Sequence, residues 1–278
     1  MTDGGDEPGS DGRQLSLRLD PERPALPVSL RPMLPQSTST PFDDAEHLFE
    51  PWWGGIRAFA VVEFDLATGA ATVRLIERGG RDLAPLLPEL SGPGGLIGRV
   101  GGHSVVLDGS LVIVDARGRP DPSALDQRLE GRSSGPTVVF LAFDIVAQDG
   151  RPLVGEPLDR RRERLERIVE PGGPILVVPA IAGEGRALHA AAVAQGIPAI
   201  IGRHRRSPYL PGVRSRLWRL IPARSAASQG TQAQSAEGPP ASEQVAAATE
   251  RGEAGTAHDP AGPILALIQR LPLETDED

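Results

Sequence analysis

The sequence predicts an α+β domain between residues 31 and 222. Short β-rich segments dominate this stretch, and two amphipathic helical patterns interrupt them. The two kinds of segment do not alternate as a regular βαβ repeat, which favours an α+β arrangement over a doubly wound one. A chain of 278 residues can hold one such domain with a substantial core and two tails.

The predicted strands begin with a hairpin in which the β-rich segments IRAFAVVEF and ATVRLIE flank the turn LATGA. Two short strands follow, SVVLD and LVIVD. The longer apolar segment TVVFLAFDIV is expected to form a buried strand. The segments ILVVP and AIIG complete the set of strands.

Two helices are predicted among these strands. The first, PLDRRRERLERIVE, is amphipathic and places Leu158, Leu165, Ile168 and Val169 toward the core. Its arginines are interpreted as a solvated face. The second, EGRALHAAAVAQG, is expected to end at Gly196, because glycine commonly terminates helices.

Polar tails flank the domain. Residues 1–30 form an N-terminal extension that is predicted to be partly disordered, and residues 223–278 form an acidic, low-complexity tail with nine acids and three arginines. A short amphipathic helix is expected near residues 263–271. This helix either docks on its own domain or binds a protein partner.

Composition excludes several kinds of chemistry. Cysteine is absent, so disulfides, thiolate metal sites and cysteine nucleophiles are excluded, and the five histidines lack metal-ligand spacing. We therefore predict no metal site. The chain has neither a basic, apolar leader nor an apolar run long enough to cross a bilayer, so we expect a cytoplasmic protein with no membrane partner.

Lysine is also absent, because all 29 basic residues are arginine. Chemistry that requires a lysine side-chain amine is therefore excluded. Arginine cannot replace lysine as a nucleophile, since its pKa lies above about 12 and a neutral form is not accessible near pH 7.

The most informative stretch is HLFEPWWGGIR, residues 47–57. It resembles the nucleotide-binding motif E-P-K-W-D-G-Y-R of ATP-dependent DNA ligases of the bacterial end-joining type. The matching residues are Glu50, Pro51, Trp53, Gly55 and Arg57. The resemblance implies that the lysine that takes AMP covalently is replaced by Trp52, and the following aspartate by Gly54.

Three more segments carry the same resemblance across residues 31–222. They are Pro32 to Leu34, the long segment AFDIVAQDGRPLVGEPLDRRRERLERI, and SPYLPGVRSRLW. The resemblance implies an ATP-grasp-like nucleotidyltransferase domain, with antiparallel sheets and flanking helices. The family's ligases also need an OB-fold domain after it, and the low-complexity tail predicts none here.

The resemblance further implies that the phosphate and metal positions are degenerate. Ser110 replaces a metal-associated glutamate in LDGSL, and Pro198 replaces another. Leu220 and Pro222 stand where the family has phosphate-binding lysines, whereas Arg203 conserves the charge of a third. No catalytic residue is therefore predicted.

What the resemblance leaves intact is the nucleoside pocket. It implies Glu50 beside the adenine, Arg57 and Arg78 near the ribose and phosphates, and Phe143 stacked on the base. The alternatives are structural salt bridges for the two arginines and a core position for Phe143. Trp52 either fills the old pocket or stacks on a base. ATP and Mg are expected to bind only if this pocket is still open.

A basic run between residues 203 and 219 is the nucleic-acid candidate. It is interleaved with Tyr209 and Trp218, and in the family this region lies close to the DNA. The alternative is that its arginines pair with core carboxylates. The residues proposed to contact DNA are Arg205, Arg206, Arg214 and Arg216.

Together these observations predict a member of the DNA ligase family that has lost catalysis and is kept as a binding or scaffold module, with DNA or a DNA-repair protein as partner. One alternative is residual nucleotidyl transfer through another nucleophile, for which Asp108 and Asp144 are the nearby acids. A second alternative is a protein that binds its partners through the tails.

Overall fold

The computed structural model describes residues 31–65, 67–170, 172–223 and 261–270. The N-terminal extension and most of the acidic tail lie outside these ranges. Two sheets of mainly antiparallel strands, flanked by a few helices, confirm the predicted α+β class. Among the described residues, no helix combines the length and apolarity needed to cross a bilayer.

The first sheet has five strands in the order β1-β11-β10-β2-β9. Its β1 runs parallel to β11, and the other neighbours are antiparallel. The strand bounds are β1 Leu34–Ser37, β2 Asp44–Trp52, β9 Ile181–Gly183, β10 Ala199–His204 and β11 Arg214–Pro222.

The second sheet has the order β4-β3-β5-β6-β7, with β8 parallel to β6. The predicted hairpin is confirmed as β3 and β4. The strand bounds are β3 Ile56–Phe64, β4 Ala71–Glu77, β5 Val105–Val112, β6 Val139–Gln148, β7 Arg151–Pro152 and β8 Ile175–Val177.

One strand prediction is wrong. SVVLD and LVIVD do not form two strands, because β5 runs without interruption through the intervening glycine and is buried along its whole length. A Cβ at Gly109 would lie 2.4 Å from the Phe140 ring, so glycine here permits close approach of β6 instead of a turn.

Five helices flank the sheets in the described ranges. The two predicted helices are confirmed, and the second ends at Gly196 in the left-handed conformation, with φ of 75°. The sequence did not predict two short ones, α1 and α2. The bounds are α1 Pro88–Ser91, α2 Pro122–Leu129, α3 Leu158–Ile168, α4 Gly185–Gln195 and α5 Gly262–Ile268.

Helix α5 packs on the domain itself, in the region where the sequence predicts a short tail helix. Ile264 and Leu267 are fully buried in the same apolar cluster as Trp53. The Trp53 indole Nε1 donates to the Gly118 carbonyl at 3.0 Å, and a Cβ at Gly118 would lie 2.4 Å from the Pro263 carbonyl oxygen. Helix α5 therefore packs next to Trp53 of the motif at residues 47–57.

The motif at residues 47–57 passes from the first sheet to the second. Strand β2 ends at Trp52, two glycines follow, and β3 begins at Ile56 in the second sheet. Gly54 and Gly55 both have positive φ, of 77° and 74°, and a Cβ at Gly55 would lie 2.2 Å from the Leu111 carbonyl oxygen. Glycine is thus required at the crossing, which places the motif between the sheets.

Candidate functional site

Trp52 lies at the end of β2, where the ligase motif has its lysine. Its indole covers the glycine turn, and a Cβ at Gly54 would lie 3.7 Å from the ring. The side chain is half-buried and lines two small cavities between the sheets. Trp52 therefore occupies space at the centre of the site.

Glu50 is buried between two guanidinium groups and is 1% exposed. Its Oε1 accepts from Arg162 Nη1 at 2.5 Å, and its Oε2 lies 3.1 Å from Arg203 Nη2. Burial raises the pKa of Glu50, and the cations of Arg203 and Arg162 oppose this shift. Both carboxylate oxygens of Glu50 are thus engaged within the protein.

Asp108 is fully buried on β5 and forms a bidentate pair with Arg57, with both N–O distances 2.6 Å. Burial disfavours the Arg57 cation, but the Asp108 carboxylate outweighs it and holds the pKa of Arg57 above its usual range. The Tyr209 hydroxyl also donates to Asp108, at 2.6 Å. Burial and the Asp108 charge raise the pKa of Tyr209 well above its ordinary value, so the tyrosine stays protonated.

Asp144 on β6 is the third buried carboxylate. Arg161 of α3 binds it through Nε and Nη2, at 2.8 and 2.9 Å, and both side chains are fully buried. Planar guanidinium suits such a two-point contact with carboxylate. Asp144 is therefore fixed to a helix arginine, not directed into a cavity.

Phe143 is 4% exposed. The guanidinium carbons of two arginines lie close to the centroid of its ring. The distances are 4.5 Å from Arg57 and 4.2 Å from Arg203. The Arg203 guanidinium also lies 4.6 Å from the Trp218 ring. Cation–π contacts with neighbouring side chains thus surround the residue that the resemblance assigns to base stacking.

The space left between these side chains is small. One cavity, between Glu50, Trp52 and Phe143, holds about 10 Å³. A second, bounded by Trp52, Arg57, Arg78 and Leu220, holds about 170 Å³. Pockets for drug-sized ligands usually have about 300–1,000 Å³. Neither cavity reaches that size.

Two polar features border these cavities. Arg78 has no ion-pair partner among the described residues. The Arg203 Nε is the one buried side-chain nitrogen or oxygen in the described ranges without a hydrogen-bond partner. Burial lowers the pKa of Arg203, and Glu50 opposes this shift.

The positions matched to metal and phosphate ligands lie on three elements around the cavities. Ser110 is on β5 opposite Arg57, Pro198 precedes β10, and Leu220 and Pro222 are on β11. In the part of the chain that the structure describes, no three His, Cys, Asp or Glu side chains are grouped to hold a metal ion. Since Mg²⁺ prefers carboxylate and water oxygens, these residues do not fit it.

Two of the four nucleic-acid candidates, Arg205 and Arg206, lie in the turn after β10, and the other two, Arg214 and Arg216, lie on β11. Arg205 pairs with Asp159 at 3.2 Å, and Arg206, 80% exposed, lies 3.8 Å from Glu46. Arg214 donates to the Pro35 carbonyl at 2.7 Å. Arg216 is exposed and has no ion-pair partner within the described ranges.

The profile of the ATP-dependent DNA ligase domain matches residues 32–220, which include every strand described above except the last two residues of β11. The chain belongs to the ATP-dependent DNA ligase family. It is 34% identical over 192 residues to the Mycobacterium tuberculosis multifunctional non-homologous end joining DNA repair protein LigD, an alignment that covers 68% of this chain and 23% of LigD. The chain therefore spans less than a quarter of that relative.

Other members of the ligase family agree with this assignment. The SPbeta prophage-derived DNA ligase-like protein LigB of Bacillus subtilis is 27% identical over 190 residues, which is 67% of this chain and 65% of LigB. Among solved structures, mycobacterial DNA ligase D complexed with ATP and MES superposes with a TM-score of 0.59 at 30% identity, covering 71% of this chain and 61% of that one. The nucleotidyltransferase fold of the ligases is thus confirmed.

Sequence reasoning missed the arginines of α3. Arg161 and Arg162 are buried, so the interpretation of this cluster as a solvated face is wrong for them. Their spacing from Leu158 and Leu165, three or four residues in each direction, places them on the apolar face. Buried Glu50 and Asp144 supply the partners that make burial of this charge tolerable.

We predict that Glu50→Gln lowers the free energy of unfolding by about 3–5 kcal/mol, because it leaves two buried guanidiniums without their carboxylate. Urea denaturation of the full chain measures this loss. The matched control is Glu163→Gln, whose pair with Arg160 is exposed, and it should change stability by less than about 0.5 kcal/mol. Equal effects of the two substitutions would contradict the account.

Proposed function

We propose that this ligase-family domain does not transfer AMP to itself and acts as a binding or scaffold module. The observation that carries the proposal is Trp52 at the position of the nucleophilic lysine, in a chain without lysine. An indole has no lone pair that can attack phosphorus as an amine does. The first chemical step of ligation therefore has no nucleophile here.

The neutral residues at the phosphate and metal positions support the proposal. Nucleotidyl transfer needs carboxylates to hold the metal and cations to bind the phosphate oxygens. Ser110 and Pro198 supply no carboxylate, and Leu220 and Pro222 supply no cation. Returning a lysine alone would leave the reaction without these groups.

The contacts inside the site also support it. Glu50, Arg57, Phe143 and Arg203 bind one another or other protein groups, and Trp52 stands beside them. The acids that could act as another nucleophile, Asp108 and Asp144, each accept two hydrogen bonds from a guanidinium. We infer that Mg-ATP is not a ligand of this domain.

Incubation of the purified chain with Mg²⁺ and ATP labelled at the α-phosphate tests the proposal. We expect no protein-bound AMP for the natural sequence, and none for Trp52→Lys, because Ser110 and Pro198 still lack carboxylates. A DNA ligase with an intact lysine motif serves as the positive control. Acid-stable AMP on the natural chain would contradict the proposal. AMP on the Trp52→Lys variant but not on the natural chain would mean that the missing lysine is the one residue that prevents AMP transfer.

We further propose DNA as the partner of the module, in the end-joining repair for which the LigD relatives are named. Support comes from Arg206 and Arg214, which are exposed in the turn after β10 and on β11. Arginines in such positions contact phosphates without reading bases.

Binding of a nicked duplex should be weak and should weaken further with salt. The double variant Arg206→Gln/Arg214→Gln should reduce the slope of log K against log salt by about 2, because each phosphate contact contributes about 1. Fluorescence anisotropy measures this slope. The control is Arg160→Gln/Arg167→Gln on α3, which carries the same charge change elsewhere. An equal loss in the control, or no binding at low salt, would remove DNA as the partner.

A further inference from the structure

A separate cleft lies on the outer face of the five-stranded sheet. Side chains alternate along a strand, so residues one apart point to opposite faces. Arg203 and Glu50 face the inner site. His204, next to Arg203 on β10, and His47, three residues before Glu50 on β2, are paired across the two strands on the outer face. Arg219, opposite Gly202, also belongs to this outer face. The cleft is therefore separated from the ligase site by the sheet itself.

The cleft is wide enough for a small molecule. Its volume is about 520 Å³, three times that of the larger cavity at the ligase site and within the usual range of about 300–1,000 Å³ for ligand pockets. Gly202 lets the Phe42 ring, which lines the cleft, pack against β10, because a Cβ there would lie 2.8 Å from the Phe49 ring and 3.4 Å from the Phe42 ring.

Two arginines without partners give the cleft its charge. Arg216 and Arg219 line it, and neither forms an ion pair with a described residue. The one acid in the lining, Asp44, accepts from the Glu46 backbone N–H at 2.9 Å and contacts His47 Nδ1 at 3.0 Å. Asp44 therefore has its hydrogen-bond partners along its own strand, and its carboxylate offsets one of the two arginine charges, so the cleft keeps a net positive charge.

The histidines and threonines add polar groups. His204 Nδ1 accepts from the Arg206 backbone N–H at 3.2 Å, which leaves Nε2 as the ring nitrogen that carries a hydrogen. Burial lowers the pKa of His47 despite the opposing charge of Asp44. Thr38 and Thr40 bring two hydroxyls to the rim.

Apolar groups complete the wall. Phe42 packs edge-on against His47, with ring centroids 5.2 Å apart, and Leu217 lies beside the two arginines in the lining. The cleft thus combines two guanidinium groups without ion-pair partners, hydroxyl and imidazole donors, and an aromatic ring on one wall. A phosphate has three acceptor oxygens and matches this donor set, and a compact organic group would contact the apolar wall.

We propose that this cleft binds a small phosphomonoester, with Arg216 and Arg219 on the phosphate and with Phe42 and Leu217 against the organic group. The proposal does not depend on whether the domain has lost adenylation. It assigns a ligand to a face of the sheet that the ligase site does not use.

The test is a titration of the full chain with inorganic phosphate and with phenyl phosphate at constant ionic strength, followed by NMR of the histidine rings. We expect saturable shifts of His47 and His204, with phenyl phosphate binding more tightly than phosphate. His103 and His189 provide internal controls, because they contact Asp149 and the Pro222 carbonyl outside the cleft. Shifts of all four rings together, or no saturation, would overturn the proposal.

Substitutions locate the binding. Arg216→Gln and Arg219→Gln should each weaken phenyl phosphate binding about tenfold, since each removes charge-assisted hydrogen bonds. Arg214→Gln on the same strand is the matched control, because Arg214 lies outside the cleft lining. Arg216 is exposed, so its variant is expected to fold even if Arg219→Gln does not.

Two further results would contradict the assignment. Equal weakening by Arg214→Gln would show that general positive charge, not the cleft, attracts the anion. Displacement of phenyl phosphate by a DNA duplex would assign the cleft to nucleic acid in place of a small ligand. Persistence of phenyl phosphate binding in the presence of the duplex supports the proposal.

Discussion

The pairing of buried carboxylates with arginines is the constraint on which the rest of this structure depends. Glu50, Asp108 and Asp144 are almost completely buried, and each is held by at least one guanidinium. Removing a charge from water costs several kcal/mol, which only a well-aligned partner offsets. The pairs join β2 to α3 and β10, β3 to β5, and β6 to α3, so they link the two sheets and a helix. Glu50 and Arg57, which the resemblance assigns to the nucleotide pocket, are therefore members of the ion pairs that hold this domain together.

This arrangement supports the proposal that the domain keeps the fold of the family without its chemistry. Arg57 and Arg203 flank Phe143, and Trp52 stands where the family has its lysine. A lysine ammonium can lose its proton and attack, but a guanidinium stays charged and is suited to fixed, two-point contacts. Glu166 also pairs with Arg162, at 3.3 Å, so four arginines face four carboxylates, and the Arg203 Nε is left without a hydrogen bond.

Sequence patterns predicted the elements of this fold better than its contacts. Apolar periodicity gave the class, the hairpin, the two longer helices and the stop at Gly196, because each of these depends on local residues. The same reasoning wrongly predicted two strands in place of β5, because the glycine in LDGSL is typical of a turn. In the structure this glycine instead permits the close approach of Phe140. The resemblance grouped Glu50, Arg57, Phe143 and Arg203, and they do lie together. Arg162, the partner of Glu50, is 112 residues away in sequence, and only the folded chain brings the two together.

The outer cleft could not be found from the sequence at all. Its residues come from β2, β10, β11 and the segment after β1. His47, Arg216 and Leu217 belong to segments that resemble the ligase family, but nothing in those segments predicts that they line one cleft. Only the strand register places the histidines and Arg219 on the same face.

The most direct test of the account is a thermal melt of the full chain with and without millimolar Mg-ATP. If the arginine–carboxylate pairs and Trp52 fill the site as described, the melting temperature should not change. Ligand at about 100 times its dissociation constant would add about 2.7 kcal/mol of stability, which raises the melting temperature by roughly 5 to 10 degrees for a domain of this size. A saturable rise of that size would contradict the central claim, because it would mean that the ligase pocket still opens to its nucleotide.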